Sequence, residues 1–259
     1  MIETFASFVG LPVQFILISL AVTLFAGFVK GAVGFAMPLI MISAFSSFLP
    51  PEHALAGLIL PTLITNLSQA FRQGIAAAKD TALEFHRFII GTVVFILISA
   101  QIFEHIPRLA YLLLLGIPVT AFAALQLAGL PLALRLEHRN RAEWALGIVG
   151  GLYGGVSGIW GPPLLVYLLS TGVEKQKMIR AQGVIFLIGS IALLSAHLGT
   201  GLMADGRLVF SALLVIPAQI GMAIGFRLQD RLPQNRFRKI TQALLVVSGL
   251  NLVRQALFG

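Results

Sequence analysis

Lys30, Asn66, Gln69, Ser157, Trp160 and Gln182 stand in or beside long apolar runs, where a polar or amphipathic group needs a reason. Their chemistry is non-covalent. The chain has no cysteine, and no spacing suggests a serine, cysteine or carboxylate catalytic set. His53, His86, His105, His138 and His197 show no paired metal-ligand spacing, so neither a metal nor a cofactor is expected. His53, His86, His105 and His138 read as loop surface. His197, near the end of an apolar run, could titrate during proton coupling. The ten acidic residues, Glu143 among them, all read as segment ends or linkers, which leaves no carboxylate relay inside the apolar runs and counts against cation transport.

Lys30 is the one cation that falls inside an apolar run. It can lend a point charge to a bound anion, or it can snorkel to a nearby membrane surface. Thr65, Asn66 and Gln69 in one run, and Gln182 and Ser190 in its counterpart, are candidate ligand contacts, with helix-to-helix hydrogen bonding as the bland alternative. Trp160 and Tyr153 are candidate walls of the same site, or interface and packing residues.

These residues cluster around a stretch that occurs twice. Residues 27–38 read GFVKGAVGFAMP and residues 151–162 read GLYGGVSGIWGP. A shift of 124 lays Gly27 on Gly151, Gly31 on Gly155, Gly34 on Gly158 and Pro38 on Pro162. Within hydrocarbon a backbone that leaves the helix exposes amides and carbonyls, so such a break survives only inside protein or beside water. Glycine supplies unusual backbone angles and lets a ligand approach the main chain, and a half-helix starting just beyond aims free amides at the break. Gly27, Pro38, Gly151, Gly155 and Pro162 are expected as hinge or half-helix starts. Gly31, Gly34, Phe35, Ser157, Gly158 and Trp160 are expected at the ligand, and two such ends from inverted halves would bracket one small oxyanion near the bilayer midplane. Close helix packing at GxxxG is the competing explanation for a single copy, and the duplicated spacing weighs against it.

The rest of the chain must position this pair. It has 259 residues, is 58% hydrophobic and 11% charged, and carries a net charge of +8; its mean hydropathy is +0.93. Several runs approach or exceed the roughly 20 residues that span a bilayer as helix, and no run shows the alternation of transmembrane strands. The cations sit in short loops between apolar runs rather than on a stripe, so lipid, not nucleic acid, is the expected partner. The expected fold is all-α and integral to the membrane, with two inverted repeats of about five apolar segments each, joined through broken helices or re-entrant hairpins. Residues 1–134 form the first repeat, 135–144 a charged cytoplasmic linker, and 145–259 the second repeat. Lys and Arg concentrate in the loops at 72–87, 135–141, 175–180 and 227–239, which the positive-inside rule makes cytoplasmic, leaving both termini external. The N-terminus lacks a cationic signal-peptide start and reads as retained. Residues 72–87 read as a mixed linker.

The two motifs in their contexts, GFVKGAVGFAMPLI with PEHALAGLILPTLITN and GGLYGGVSGIWGPPLLVYL with MIRAQGVIFLIGS, resemble the two repeats of the sulfite exporter TauE/SafE family of membrane anion permeases. The resemblance implies a transporter rather than an enzyme, export of sulfite or an organosulfonate, and coupling to protons, in a bacterial cytoplasmic membrane. A homodimer, a passive anion channel and a membrane scaffold without transport stay open.

Overall fold

The computed structural model describes residues 2–130, 133, 136–228 and 234–258. Those residues are helical with no strand among them: α1 Ile2–Val9, α2 Val13–Val33, α3 Met37–Phe45, α4 Pro51–Ala70, α5 Ile75–Glu84, α6 His86–Ala100, a 3₁₀ turn Phe103–His105, α7 Arg108–Leu127, α8 Arg139–Ser157, α9 Gly161–Ser170, α10 Lys175–Gly199, α11 Arg207–Leu228 and α12 Gln234–Phe258. Four of them (α2, α7, α10 and α11) are long and apolar enough to cross a bilayer, and α4 with α5 makes a fifth crossing if that pair, bent by 106°, counts as one. Large apolar side chains stand exposed along these helices, Leu17 and Leu24 on α2, Ile117 on α7 and Ile216 and Ile220 on α11. Exposure on that scale fits helices whose outer faces meet lipid.

The chain packs as two compact units. One comprises Met1–Pro61, Ile106–Gly129 and Gly201–Gly259, the other Thr62–His105 and Leu130–Thr200. Packing therefore groups the elements differently from the repeat, since each unit takes helices from both halves of the sequence.

In the first unit α2 lies against α11 through glycines on both. A Cβ on Gly27 or Gly31 would meet the carbonyl of Ala218 or Met222, and one on Gly221 or Gly225 would meet that of Leu24 or Phe28. Backbones this close are what small residues at four-residue spacing permit. α3 folds back along α2, so that Phe48, just beyond α3, stacks 5.6 Å from Phe15 at the start of α2. Asn251 Nδ2 of α12 donates to Ser47 Oγ at 3.1 Å near the same end of α3.

In the second unit α8 lies against α6 in the same manner. A Cβ on Gly147, Gly151 or Gly155 would come within 2.7, 2.6 and 2.6 Å of the carbonyls of Phe88, Thr92 and Ile96. α10 is the inner helix of this unit, with 72% of its apolar window buried against 39% for α7 and α11 in theirs. α5 packs on its first turns, where Arg180 Nε donates to Thr81 Oγ1 at 2.8 Å.

Three expectations change. The helix breaks fall at Gly34 and Gly158 alone, where φ is +88° and +71°; Gly27, Gly31, Gly151 and Gly155 lie inside continuous helices as packing residues. Residues 72–87 hold α5 and the start of α6 rather than a linker. Glu143 is no linker residue either. It sits in the second turn of α8 at 2% exposure, where its carboxylate accepts from the Phe88 N–H at 3.3 Å and the Tyr167 hydroxyl at 3.2 Å, with Arg87 at 3.7 Å. The donors on α6 and α9 make its burial tolerable.

Candidate functional site

The second break is built by α8, α9 and α10. α8 runs to Ser157, whose Oγ donates to the Tyr153 carbonyl at 2.6 Å and accepts from the Ile159 N–H at 3.1 Å. Gly158 closes the helix in the left-handed region with its N–H on the Gly154 carbonyl at 2.8 Å. The chain then turns back along α8. A Cβ on Gly150 or Gly154 would lie 3.5 Å from the Trp160 Cβ, so α9 begins beside the last turns of α8 rather than beyond its end. Pro162 and Pro163 occupy the opening turn of α9, where the missing N–H groups are tolerated.

Trp160 is 2% exposed. Its ring lies over Gly189 of α10, where a Cβ would come within 2.9 Å of Nε1, and meets Phe186 edge-on at 6.2 Å. Among the described residues, its indole N–H has no acceptor. One residue along from Gly189, Ser190 Oγ accepts from Asn66 Nδ2 at 2.8 Å and donates to the Phe186 carbonyl at 2.6 Å. Asn66 and Ser190 are 124 residues apart, the repeat shift itself. Gln69 Nε2 donates to the Ile179 carbonyl at 3.1 Å, and α4 crosses α10 at Gly183, where a Cβ would lie 2.9 Å from the Ala70 nitrogen. Gln182, buried, shares the α10 face of Phe186 and Ser190 by its spacing.

The first break stands in the other unit. α2 ends at Val33, Gly34 donates to the Lys30 carbonyl at 2.7 Å, and Ala36 opens α3 at φ +81°. A non-glycine residue there carries strain of about 1–2 kcal/mol. Lys30 is 1% exposed, so its side chain stays within the protein and does not reach to the surface. Phe35 and Ala36 line a cavity of about 10 Å³, room for one water-sized group, together with Val33, Gln126 and Gln242.

The profile of the Sulfite exporter TauE/SafE family matches residues 19–252. The chain belongs to that family. Its members are membrane anion exporters, transporters rather than enzymes, and the helices described above are those of an integral membrane protein. No curated protein and no solved structure is significantly similar to the chain.

In this TauE/SafE chain the structure brings Asn66, Gln69, Gln182, Ser190 and Trp160 together around α10, with Ser157 and Gly158 at the adjoining turn. Both hydrogen-bonding roles of Ser157 are already engaged in shaping that turn. Thr65 bonds back to the Thr62 carbonyl at 3.2 Å within its own helix. Lys30, Gly34 and Phe35 gather at the first break, and Pro38 lies in the first turn of α3, as Pro162 does in α9. Of the histidines, His86, His105 and His138 are exposed, whereas His53 is half-buried on α4 with Nε2 at 3.0 Å from the Val9 carbonyl. Two features lie outside the sequence reading. Gln126 and Gln242 pair at 2.7 Å beside the first break; Gln126 is a lone amide within an apolar stretch, which is the available signal, whereas Gln242 follows the charged RFRK and carries none. Ala36 has no sequence mark, because nothing in an alanine announces a left-handed backbone.

Proposed function

We propose that this protein is a secondary transporter that exports a small sulfur-containing anion, sulfite or an organosulfonate, by alternating access coupled to protons. The observation that carries the anion reading is Trp160. A buried N–H without an acceptor costs about 1–3 kcal/mol, and an anion oxygen is the partner that would recover it. With Pro162 and Pro163 in the opening turn of α9, the Gly161 N–H is the amide left there to add to the indole N–H. Asn66, Ser190, Gln69 and Gln182 supply further polar groups on the same side of α10. The first break, within the other unit, has polar groups of its own: the buried Lys30 amine and the Met37 N–H at the start of α3.

An inverted repeat is supported by the element bounds. The shift of 124 carries the end of α2 onto the end of α8, α3 onto α9 and the start of α4 onto the start of α10. Two equivalent residues that touch each other, Asn66 and Ser190, are what a twofold relation between copies produces. The Lys and Arg distribution supports a cytoplasmic side for residues 72–87 and 135–141 and external termini.

Proteoliposome flux tests the proposal. Radiolabelled sulfite and short organosulfonates should show saturable uptake that responds to an imposed proton gradient. Lys30→Ala combined with bulky replacements of Gly34 and Gly158 should abolish it. Absence of saturable flux, or full flux in the combined variant, overturns the site, and conductance indifferent to a proton gradient replaces the transporter by a channel.

A further inference from the structure

His197 lies in the last turns of α10 and is fully buried. Its Nε2 is 2.9 Å from the Gly155 carbonyl, and since a carbonyl only accepts, Nε2 carries the hydrogen. The partner is an unusual one. Gly155 is three residues before the second break, and the N–H that would bond its carbonyl in a continued helix, that of Ile159, goes to Ser157 Oγ instead. His197 therefore supplies from a neighbouring helix the donor that α8 lacks at its C-terminal end.

The other ring nitrogen, Nδ1, faces Thr200 Oγ1 at 3.4 Å, a long contact. A proton can add at Nδ1 without breaking the bond from Nε2. The result is a cation at a helix C-terminus, the position where the helix dipole and a charge-assisted hydrogen bond both favour it. Phe103 meets the ring edge-on at 5.8 Å, and the 3₁₀ turn that carries it also holds Glu104 and His105, both exposed. On α8 the titratable group nearby in sequence is Tyr153, and residues 88–100 of α6 and 181–199 of α10 hold no other ionisable side chain.

We propose that His197 is a protonatable cap on α8 that tightens the second break when charged, so that anion binding beside Trp160 strengthens as pH falls. The second half of this statement rests on the reading of that break as a substrate site. His197 acts through the Gly155 carbonyl, as a positioning residue.

Trp144 and Trp160 are the only tryptophans, so Trp144→Phe makes Trp160 the sole indole reporter. Its fluorescence, titrated from pH 4 to 8 in detergent without added anion, should show a single transition. His197→Gln in that background keeps an N–H for Gly155 but cannot titrate, and should lose the transition. The affinity for methanesulfonate, whose own charge is constant over this range, should rise up to about fivefold from pH 7.5 to 5.5 and stay flat in His197→Gln. Hydrogen exchange of the unsubstituted protein supplies a readout without any variant: residues 156–161, corrected for intrinsic rates, should be better protected at pH 5.5 than at 7.5. A transition that persists in His197→Gln overturns the proposal, as does equal protection at the two pH values. A His197-dependent transition without any methanesulfonate binding upholds the cap and sinks the transport reading.

Discussion

Replacing Trp160 by Phe separates a binding role from a packing role by the sign of two effects. The indole N–H is buried at 2% exposure and has no acceptor among the described residues. If it only packs, its removal relieves a desolvation penalty of about 1–3 kcal/mol, set against about 1 kcal/mol for the smaller ring filling the space less well. The anion-free protein should then be unchanged or up to about 2 kcal/mol more stable. If the N–H donates to the bound anion, the complex also loses a hydrogen bond to a charged group, about 1.5–3 kcal/mol, or roughly 10- to 150-fold in affinity. Thermal unfolding without ligand and a binding isotherm for sulfite or a short sulfonate measure the two terms on the same preparation. Wild-type affinity in Trp160→Phe refutes the assignment of the N–H to the ligand. A large loss of ligand-free stability refutes the claim that the N–H lacks a partner.

The glycines divide by what a methyl group would meet. Gly155→Ala would press on the Ile96 carbonyl and the Ala100 nitrogen at 2.6 and 2.7 Å, backbone atoms that cannot swing aside, and should cost about 1–3 kcal/mol by thermal unfolding. Gly150→Ala meets only ordinary contacts at 3.5 Å and beyond, so helix propensity should make it neutral to about 1 kcal/mol stabilising; equal effects at the two sites would refute the packing argument. Ala36→Gly, at φ +81°, should stabilise by roughly 1 kcal/mol through released strain, and a fall in melting temperature would show that this backbone geometry is not strained. Lys30→Met keeps the volume of a buried side chain while deleting its charge. It should lower anion flux at least about tenfold, the worth of one partly desolvated charge contact, with the melting temperature held or raised; unchanged flux removes Lys30 from the site.

Much of the fold was legible because lipid imposes a coarse grammar. Apolar runs near 20 residues announce α2, α7, α10 and α11 as membrane spans, although α10 begins several residues earlier, with Lys175, Lys177 and Arg180 in its first turns. The grammar fails where a helix leaves the hydrocarbon. α5 carries Lys79, Asp80 and Glu84 and was read as linker, yet it is held by Arg180 and Lys177 from α10, partners nearly one hundred residues away. Glu143 escapes for the same reason: a carboxylate looks like a linker residue until Tyr167 and the start of α6 are known to face it. At the breaks the glycine spacing was visible but its meaning was divided. The four-residue repeats at Gly27, Gly31, Gly151 and Gly155 record how closely two helices approach, whereas Gly34 and Gly158, three residues on, mark where the chain turns. Spacing alone does not separate these uses, because both demand the absence of a Cβ.

The two copies share the left-handed glycine but differ just beyond it, in backbone and in bulk: Ala36 opens α3 at φ +81°, whereas Trp160 before α9 has φ −129°. The shift of 124 pairs Lys30 with Gly154 and Ala36 with Trp160. In the second copy the Trp160 ring lies against Gly154, where a Cβ would sit 3.0 Å from it. The first copy reverses the sizes: the large side chain is on the helix before the break, and the small one is at the turn after it. Each copy is left with one long polar-tipped side chain. In one it is an amine, in the other an indole N–H. A duplicated backbone could thus hold two chemically unlike donors at equivalent breaks. The backbone difference makes the sizes non-interchangeable: Lys30→Gly with Ala36→Trp should melt below Lys30→Gly alone, because an indole at φ +81° adds strain instead of returning the lost volume. A higher melting temperature in the double variant would show that the two breaks accept the same side chains.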